Sequence, residues 1–385
     1  MRDVLTDLET WWQAGETVGL GTVVGTWKSA PRQPGASMLV GPDGTAVGSV
    51  SGGCVEGAVY ELAESTRASG EPVLQRYGVS DDDAFSVGLT CGGIIDIFVE
   101  SIDRESFPEL GDIAADIREG RPVAVATLIS GVPAERLGKR LIVRPDSVTG
   151  TLGSERLDAA VGDDVQGLLR QGNTGVVHYG PDGERRGDDI AVFVASYAPR
   201  PRMIVFGAID FAAAVARIGS FLGYRVTVCD ARPTFATKKR FPDADEVIVA
   251  WPHRYLEKTE VDERTVVCVL THDPKFDVPL LEIALRMPLA YLGAMGSRRT
   301  NDDRAARLRE LGFTDEELAK LHAPIGLDVG GRTPEETAVS IAAEIIGQRW
   351  GGTGTQLRLV DGPIHRSFGT ADLAASGESS RDWSS

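Results

Sequence analysis

The chain is poor in sulfur and in histidine. Its 385 residues hold four cysteines and five histidines, with no two cysteines in a CxxC pair. That sparsity excludes a disulfide framework, and the scattered histidines leave no readable zinc site. Positive charge is also short: 40 Lys and Arg stand against 56 Asp and Glu, a net charge of −16. Sequence-independent binding to nucleic acid or to an anionic membrane needs a basic face, so neither partner is expected. No apolar run approaches a membrane span, and Met1-Arg2-Asp3-Val4 opens no signal peptide, so the expectation is a soluble, cytoplasmic protein. With 42% hydrophobic and 25% charged residues, the length suffices for two or three domains with good cores.

What is present is a glycine-rich turn carrying a thiol. In Gly48-Ser49-Val50-Ser51-Gly52-Gly53-Cys54-Val55-Glu56 a cysteine follows two glycines where a strand pattern gives way to helical spacing at Val55, Val59 and Leu62. Placed in the first turn of that helix, the thiol would face unpaired N–H groups and the positive end of the dipole. Gly52 and Gly53 would let a ligand approach the backbone. The competing reading makes Cys54 a small, buried apolar residue.

The first half reads as a duplication at a period of about 100 residues, the alternative being chance resemblance between two β-β-α units. Gly35–Asp43 resembles Gly138–Asp146. Gly48-Ser49-Val50 aligns with Gly150-Thr151-Leu152, and Val55-Glu56 with Leu157-Asp158. Opposite Gly52, Gly53 and Cys54 stand Ser154, Glu155 and Arg156. Loss of the motif from one copy assigns it to chemistry rather than to packing. Both copies, about 18–100 and 121–196, read as strand–turn–strand–helix within one α+β domain over residues 1–198. Two more features belong to the first copy alone. Arg32 lies in a Pro- and Gly-punctuated loop, either as a cation for an anionic ligand or as an ordinary surface arginine. Cys91, before Gly92-Gly93, is either a second sulfur partner or a turn residue.

After the proline-rich linker Ala198–Arg202, apolar strands alternate with helices, which predicts an α/β, Rossmann-like doubly wound parallel sheet over residues 199–350. Strands are expected at Met203–Phe206, Tyr224–Cys229, Glu246–Ala250, Thr265–Leu270 and Leu289–Leu292. Helices are expected at Phe211–Leu222 and Pro334–Arg349, the latter with a Thr333/Glu336 capping box. The first strand–helix turn, Gly207-Ala208-Ile209-Asp210-Phe211-Ala212, keeps one glycine of a G-x-G-x-x-G phosphate loop and adds a carboxylate, Asp210, which is expected to cap the helix. Asp230, 23 residues beyond Gly207, stands where a ribose hydroxyl would be recognised. Conventional NAD(P) binding is therefore doubtful. Thr271-His272-Asp273 and Gly296-Ser297-Arg298-Arg299 follow later strands, and the second offers an anion cradle. Cys229 and Cys268 read as core. Residues 351–385 are polar and Gly/Ser-rich, the pattern of a loosely ordered tail.

These motifs in this order, with Pro324-Ile325-Gly326-Leu327-Asp328 and Thr333-Pro334-Glu335-Glu336, resemble the XdhC/CoxI family, accessory proteins in the maturation of xanthine dehydrogenase and carbon monoxide dehydrogenase. The resemblance covers about residues 10–350. It implies a chaperone that binds molybdenum cofactor, protects it during sulfuration by a cysteine desulfurase and delivers it to a molybdenum hydroxylase apoenzyme. It also implies a homodimer. Cys54 is then the leading cofactor and metal-contacting residue, Cys91 the second, and Arg32 a holder of the pterin phosphate. Family members commonly carry Gly-Ala-Gly-His where this chain has Gly207-Ala208-Ile209-Asp210. The alternative is an NAD(P)-dependent Rossmann-fold oxidoreductase.

Overall fold

The computed structural model describes residues 1–27, 32–78, 93–271 and 273–361, which form two compact units, Met1–Pro199 and Arg200–Asp361. Cys91 and His272 lie outside the described residues, as does the tail from 362 onward.

The first unit begins with helix α1 (Leu5–Ala14). Its first sheet comprises β1 (Val18–Trp27), β2 (Ser37–Val40), β3 (Ala46–Gly48), β4 (Val73–Tyr77) and β5 (Ile94–Ile102), with α2 (Glu56–Ser69) between β3 and β4. Helix α3 (Leu110–Glu119) leads to the second sheet, made of β6 (Val123–Ser130), β7 (Arg140–Arg144), β8 (Ser147–Gly150), β9 (Gly175–Tyr179) and β10 (Ile190–Tyr197). Helix α4 (Glu155–Gln171) lies between β8 and β9. The strand orders are β3-β2-β1-β5-β4 and β8-β7-β6-β10-β9, the same path traced twice, with every pairing antiparallel.

The two-residue period of each strand decides its layers. Ile95, Ile97 and Val99 of β5 pack with Val55, Val59 and Ala63 at α2, whereas Phe98 and Ile102 point the other way. In the second copy Ala124, Ala126 and Leu128 of β6 pack under α4, and Val125 and Ile129 take the opposite face. Those opposite faces meet, with α1 and α3, in one shared apolar cluster. Glu100 of the first sheet and Arg140 of the second form a buried ion pair across the copies. Burial raises the Glu100 carboxyl above its ordinary range, and the adjacent Arg140 only partly offsets this.

Backbone detail is repeated as well. Gly48 and Gly150 hold φ of 86° and 87°, and a Cβ there would stand 2.3 Å from the Ser37 carbonyl oxygen or 2.4 Å from that of Arg140. Only glycine meets both demands at this corner.

The second unit is a six-stranded parallel sheet: β11 (Arg202–Phe206), β12 (Arg225–Asp230), β13 (Glu246–Val249), β14 (Val266–Val269), β15 (Tyr291–Ala294) and β16 (Leu321–His322). Its order is β13-β12-β11-β14-β15-β16, so the chain reverses direction between β11 and β14. Helices α5 (Asp210–Phe221) and α10 (Pro334–Trp350) pack on one face. Helices α6 (Pro252–Glu257), α7 (Pro274–Ala284), α8 (Arg298–Glu310) and α9 (Asp315–Leu318) complete the unit, with α6, α7 and α8 contributing to the core on the other face. The near-continuous apolar strands are those of a sheet buried on both sides. Thr333 and Glu336 make the expected capping box on α10. Cys229 and Cys268 are fully buried, and burial pushes both thiols up to about 12, so they serve as core. No helix among the described residues is long and apolar enough to cross a membrane.

Candidate functional site

The Gly-Gly-Cys segment does not open the helix as its spacing suggests. α2 starts at Glu56 with Val55 as its N-cap, leaving Cys54 just ahead of the first turn. Gly52 and Gly53 account for the delay, because φ of 77° and 115° places both outside helical geometry. A Cβ on either would meet nothing within 4 Å. These glycines therefore serve conformation and leave open space above the backbone.

The N–H groups expected to face the thiol have another partner. The Glu56 carboxylate accepts from the N–H of Val50 at 3.3 Å, Ser51 at 2.9 Å, Gly53 at 2.8 Å and Val55 at 3.2 Å. It also accepts from the hydroxyls of Ser49, at 2.7 Å, and Ser51. The Ser51 hydroxyl in turn accepts from the N–H groups of Cys54 and Val55, each at 3.0 Å. Partial burial works against the charge. The serine hydroxyls and the Ser51 N–H overcome it and hold the Glu56 carboxyl down at about 2.

The second copy shows which part of this is frame. There Asp158 accepts from the Thr151 hydroxyl and the Leu152 N–H, each at 2.7 Å, as Glu56 does from Ser49 and Val50. Its helix starts at Glu155, opposite Gly53, with Ser154 as N-cap. In the first copy, Gly53, Cys54 and Val55 stay outside the helix at the positions of Glu155, Arg156 and Leu157. The longer Glu56 side chain reaches the extra N–H groups this exposes. The first copy thus trades its first helical turn for a braced loop that holds Cys54 at its end. Cys54 itself is only partly buried.

Of the other first-unit candidates, Arg32 pairs with Asp3 at 3.3 Å, and its guanidinium meets no residue of the Gly-Gly-Cys loop among the described residues.

In the second unit the strand reversal brings Gly207 against Thr271: a Cβ on Gly207 would stand 3.1 Å from the Thr271 methyl. Asp210 is the first helical residue and caps nothing; the N-cap is Ile209. The Asp210 side chain is exposed and pairs with Arg240 at 3.1 Å. It sits one residue too late to fold back on the first N–H groups. Asp230 is buried and accepts four hydrogen bonds, from the Ala208 N–H at 2.7 Å and from the backbone N–H, Nε and Nη2 of Arg232 at 2.8, 2.9 and 2.8 Å. Burial opposes its charge, yet those donors hold its carboxyl below the ordinary range.

Asp273 caps α7 by accepting from the Lys275 N–H, and it also pairs with Lys275 Nζ at 3.0 Å. Ser297 caps α8 by accepting from the Thr300 N–H, following Gly296 at φ 153°. Arg298 and Arg299 are exposed in the first turn of α8 and make no ion pair among the described residues.

Beneath these loops lies a network the sequence did not reveal. Arg304 Nη2 donates to Asp277 at 2.7 Å and to the Met295 carbonyl at 3.0 Å, with both charged side chains 3% exposed. Thr271 bonds the other oxygen of Asp277, and Asn301 links Arg304 to the Gly296 carbonyl. The turns after β14 and β15 are fastened together through α7 and α8. The only sequence signals were an aspartate in the apolar stretch of α7 and one arginine among the many of α8. The role of Glu56 was missed as well, although the repeat carried a signal for it: it aligns with Asp158, and Ser49 with Thr151. Among the described residues no cluster of three or more His, Cys, Asp and Glu side chains is placed to hold a metal ion.

Comparison with known proteins adds the following. Residues 203–345 match the family model described as the XdhC Rossmann domain, and residues 11–78 and 116–180 match that of the XdhC and CoxI family. A protein of Bacillus subtilis (strain 168) named as a probable subunit of xanthine dehydrogenase is 28% identical over 336 residues, covering 87% of this chain and 94% of that protein. The molybdenum cofactor insertion chaperone PaoD of Escherichia coli (strain K12) is 26% identical over 336 residues, covering 87% of this chain and 85% of that one. A crystal structure of a xanthine dehydrogenase from Bacillus halodurans, 27% identical, superposes with a TM-score of 0.61 over 89% of this chain and 95% of its own.

Proposed function

Because this chain belongs to the XdhC and CoxI family, we propose that it is a maturation chaperone that binds molybdenum cofactor and hands it to a molybdenum hydroxylase apoenzyme of the xanthine dehydrogenase or carbon monoxide dehydrogenase type. The relative whose name states cofactor insertion supports the cofactor as cargo. The observation that carries the reading is the difference between the two copies: one brace, built twice, supports a Gly-Gly-Cys loop once. Cys54 offers a soft sulfur donor suited to molybdenum or to carrying sulfur. Gly52 and Gly53 leave the backbone beside it open to a ligand. Arg32 is the cation for the cofactor's phosphate, and Cys91 is the second sulfur.

In this scheme the cofactor is held while a partner cysteine desulfurase sulfurates it, and the protein acts in the cytoplasm as a homodimer. Holding and release need no net turnover. Gel filtration after titration with molybdenum cofactor tests the proposal. Stoichiometric molybdenum should travel with the wild type, be lost in Cys54→Ser and be reduced in Cys91→Ser. A wild type that retains none, with the cofactor intact, overturns it.

A second reading, an NAD(P)-dependent oxidoreductase, draws on the strand order of the second unit, which is that of dinucleotide-binding sheets. Ile209 at the close-approach position and Asp210 beside it weigh against a bound pyrophosphate. Turnover of NADPH with candidate substrates would favour this reading, and fold alone does not.

A further inference from the structure

We propose that the second unit carries a separate recognition site for a ribose-linked phosphomonoester, formed by Arg232, Lys239, Arg240 and Phe235 at the C-terminal edge of its sheet. A carboxylate has about four lone-pair sites, and Asp230 has all four engaged, two hydrogen bonds on each oxygen. A ribose hydroxyl donating to it would find no acceptor. The place where a dinucleotide's diol is ordinarily recognised instead presents the guanidinium that saturates it. Arg232 is 48% exposed, and only its Nε and one Nη2 hydrogen are used within the side chain. What remains is a donor surface, which selects an acceptor-rich anion over a hydroxyl.

The surrounding segment has the matching charge. From Ala231 to Arg240 the chain places Arg232, Lys238, Lys239 and Arg240 with no acid among them, in a protein of net charge −16. The acids that follow are engaged elsewhere: Asp243 with Arg217, Asp245 with Arg200 and Glu246 with Arg225. Arg240 reaches back over the first turn, donating to the Ala208 carbonyl at 3.2 Å and neutralising Asp210. The guanidinium carbons of Arg232 and Arg240 lie 4.7 and 5.5 Å from the centre of the Phe235 ring, so one exposed aromatic holds both cations in place. Lys239 is exposed and makes no ion pair among the described residues. The basic segment therefore lies over the first strand–helix turn, where ligands of doubly wound sheets bind.

The phosphate could belong to a free 2′-phosphorylated nucleotide or to a larger phosphorylated cofactor; the shared chemistry is a dianion on a sugar-sized scaffold. Calorimetry on the full chain at low salt, with adenosine 2′-monophosphate, adenosine, NADPH, NADH, molybdopterin and inorganic phosphate, separates these. The 2′-monophosphate should bind at least about tenfold more tightly than adenosine, and NADPH, whatever its pyrophosphate loses at Ile209 and Asp210, more tightly than NADH by a similar factor. Binding of molybdopterin alone among the organic ligands would overturn the site, because the first unit is already proposed to hold that ligand and its phosphate is not borne on a ribose. Arg232→Gln should abolish discrimination between NADPH and NADH. Since that change also strips Asp230 of its counterion, Lys239→Glu serves as a variant at an exposed residue with no ion pair among the described residues, and it should weaken binding several-fold. Equal affinity for NADPH and NADH overturns the proposal, as does inorganic phosphate binding as tightly as the organic ligands. So does a Lys239→Glu variant with unchanged affinity. None of these readings depends on Cys54 retaining molybdenum.

Discussion

Shortening one side chain by one methylene should convert the Gly-Gly-Cys brace into its simpler copy. In Glu56→Asp the carboxylate withdraws by about 1.5 Å. The bonds from Ser49 and Val50 should persist, because Asp158 makes their counterparts with Thr151 and Leu152. Those from Gly53 and Val55 should not. Val55 keeps the Ser51 hydroxyl as acceptor, so Gly53 loses most. Gly53 is exposed and water can replace the lost partner, giving about 1 kcal/mol, or roughly fivefold faster exchange of its N–H. Glu56→Ala also strips the Ser51 N–H and hydroxyl, in a residue only 2% exposed. Loss of charge-assisted bonds to a buried group should cost about 2 kcal/mol, a roughly 30-fold acceleration. Hydrogen exchange resolved by residue over 48–60, read by NMR or fragment mass spectrometry, is the assay. The two variants should order as Asp milder than Ala, with Val50 unaffected in Asp alone. Equal exchange at Gly53 in wild type and Glu56→Asp would refute the reasoning.

Acid should act on the same brace. The Glu56 carboxyl is held down at about 2 against an ordinary 4.5, so its contribution is complete above about pH 4.5 and is lost as pH falls through about 2; protection of the Ser51 N–H measured across that window should follow. Asp277→Leu, which leaves Arg304 buried without its partner, should destabilise the second unit by about 3–5 kcal/mol, and its thermal unfolding should shift while the first unit's does not. Gly48→Ala and Gly150→Ala should each cost about 1–3 kcal/mol from the left-handed backbone, with further loss from contact with the facing carbonyl. Chemical denaturation of the two variants should give similar losses; a loss confined to one would break the structural equivalence of the copies.

The parallel sheet was legible because its strands are buried on both faces: Met203–Phe206 or Val266–Val269 has no polar position to confuse the reading. The antiparallel half was legible through its repeat rather than through alternation. What escaped has a common physical origin. The spacing of Val55, Val59 and Leu62 describes a helical face, but the start of that helix is set by the backbone of Gly52 and Gly53, which periodicity does not report. The Asp277–Arg304 pair joins residues 27 positions apart on different helices, and neither side chain is unusual until the other stands beside it. Asp210 looked like a cap because helix starts are uncertain by a residue, and one residue separates a cap from an exposed carboxylate in the first turn.

The apolar layer shared by the two sheets has a consequence for how the first half can change over generations. Each copy supplies one wall of that layer, so neither can be discarded or recast without exposing the other. The helix entrances lie on the far sides of the sheets, packed against separate clusters. Variation there is decoupled from the joint between the copies. A duplicated architecture of this kind lets one entrance carry a thiol while its twin, built on the same corner, does without one.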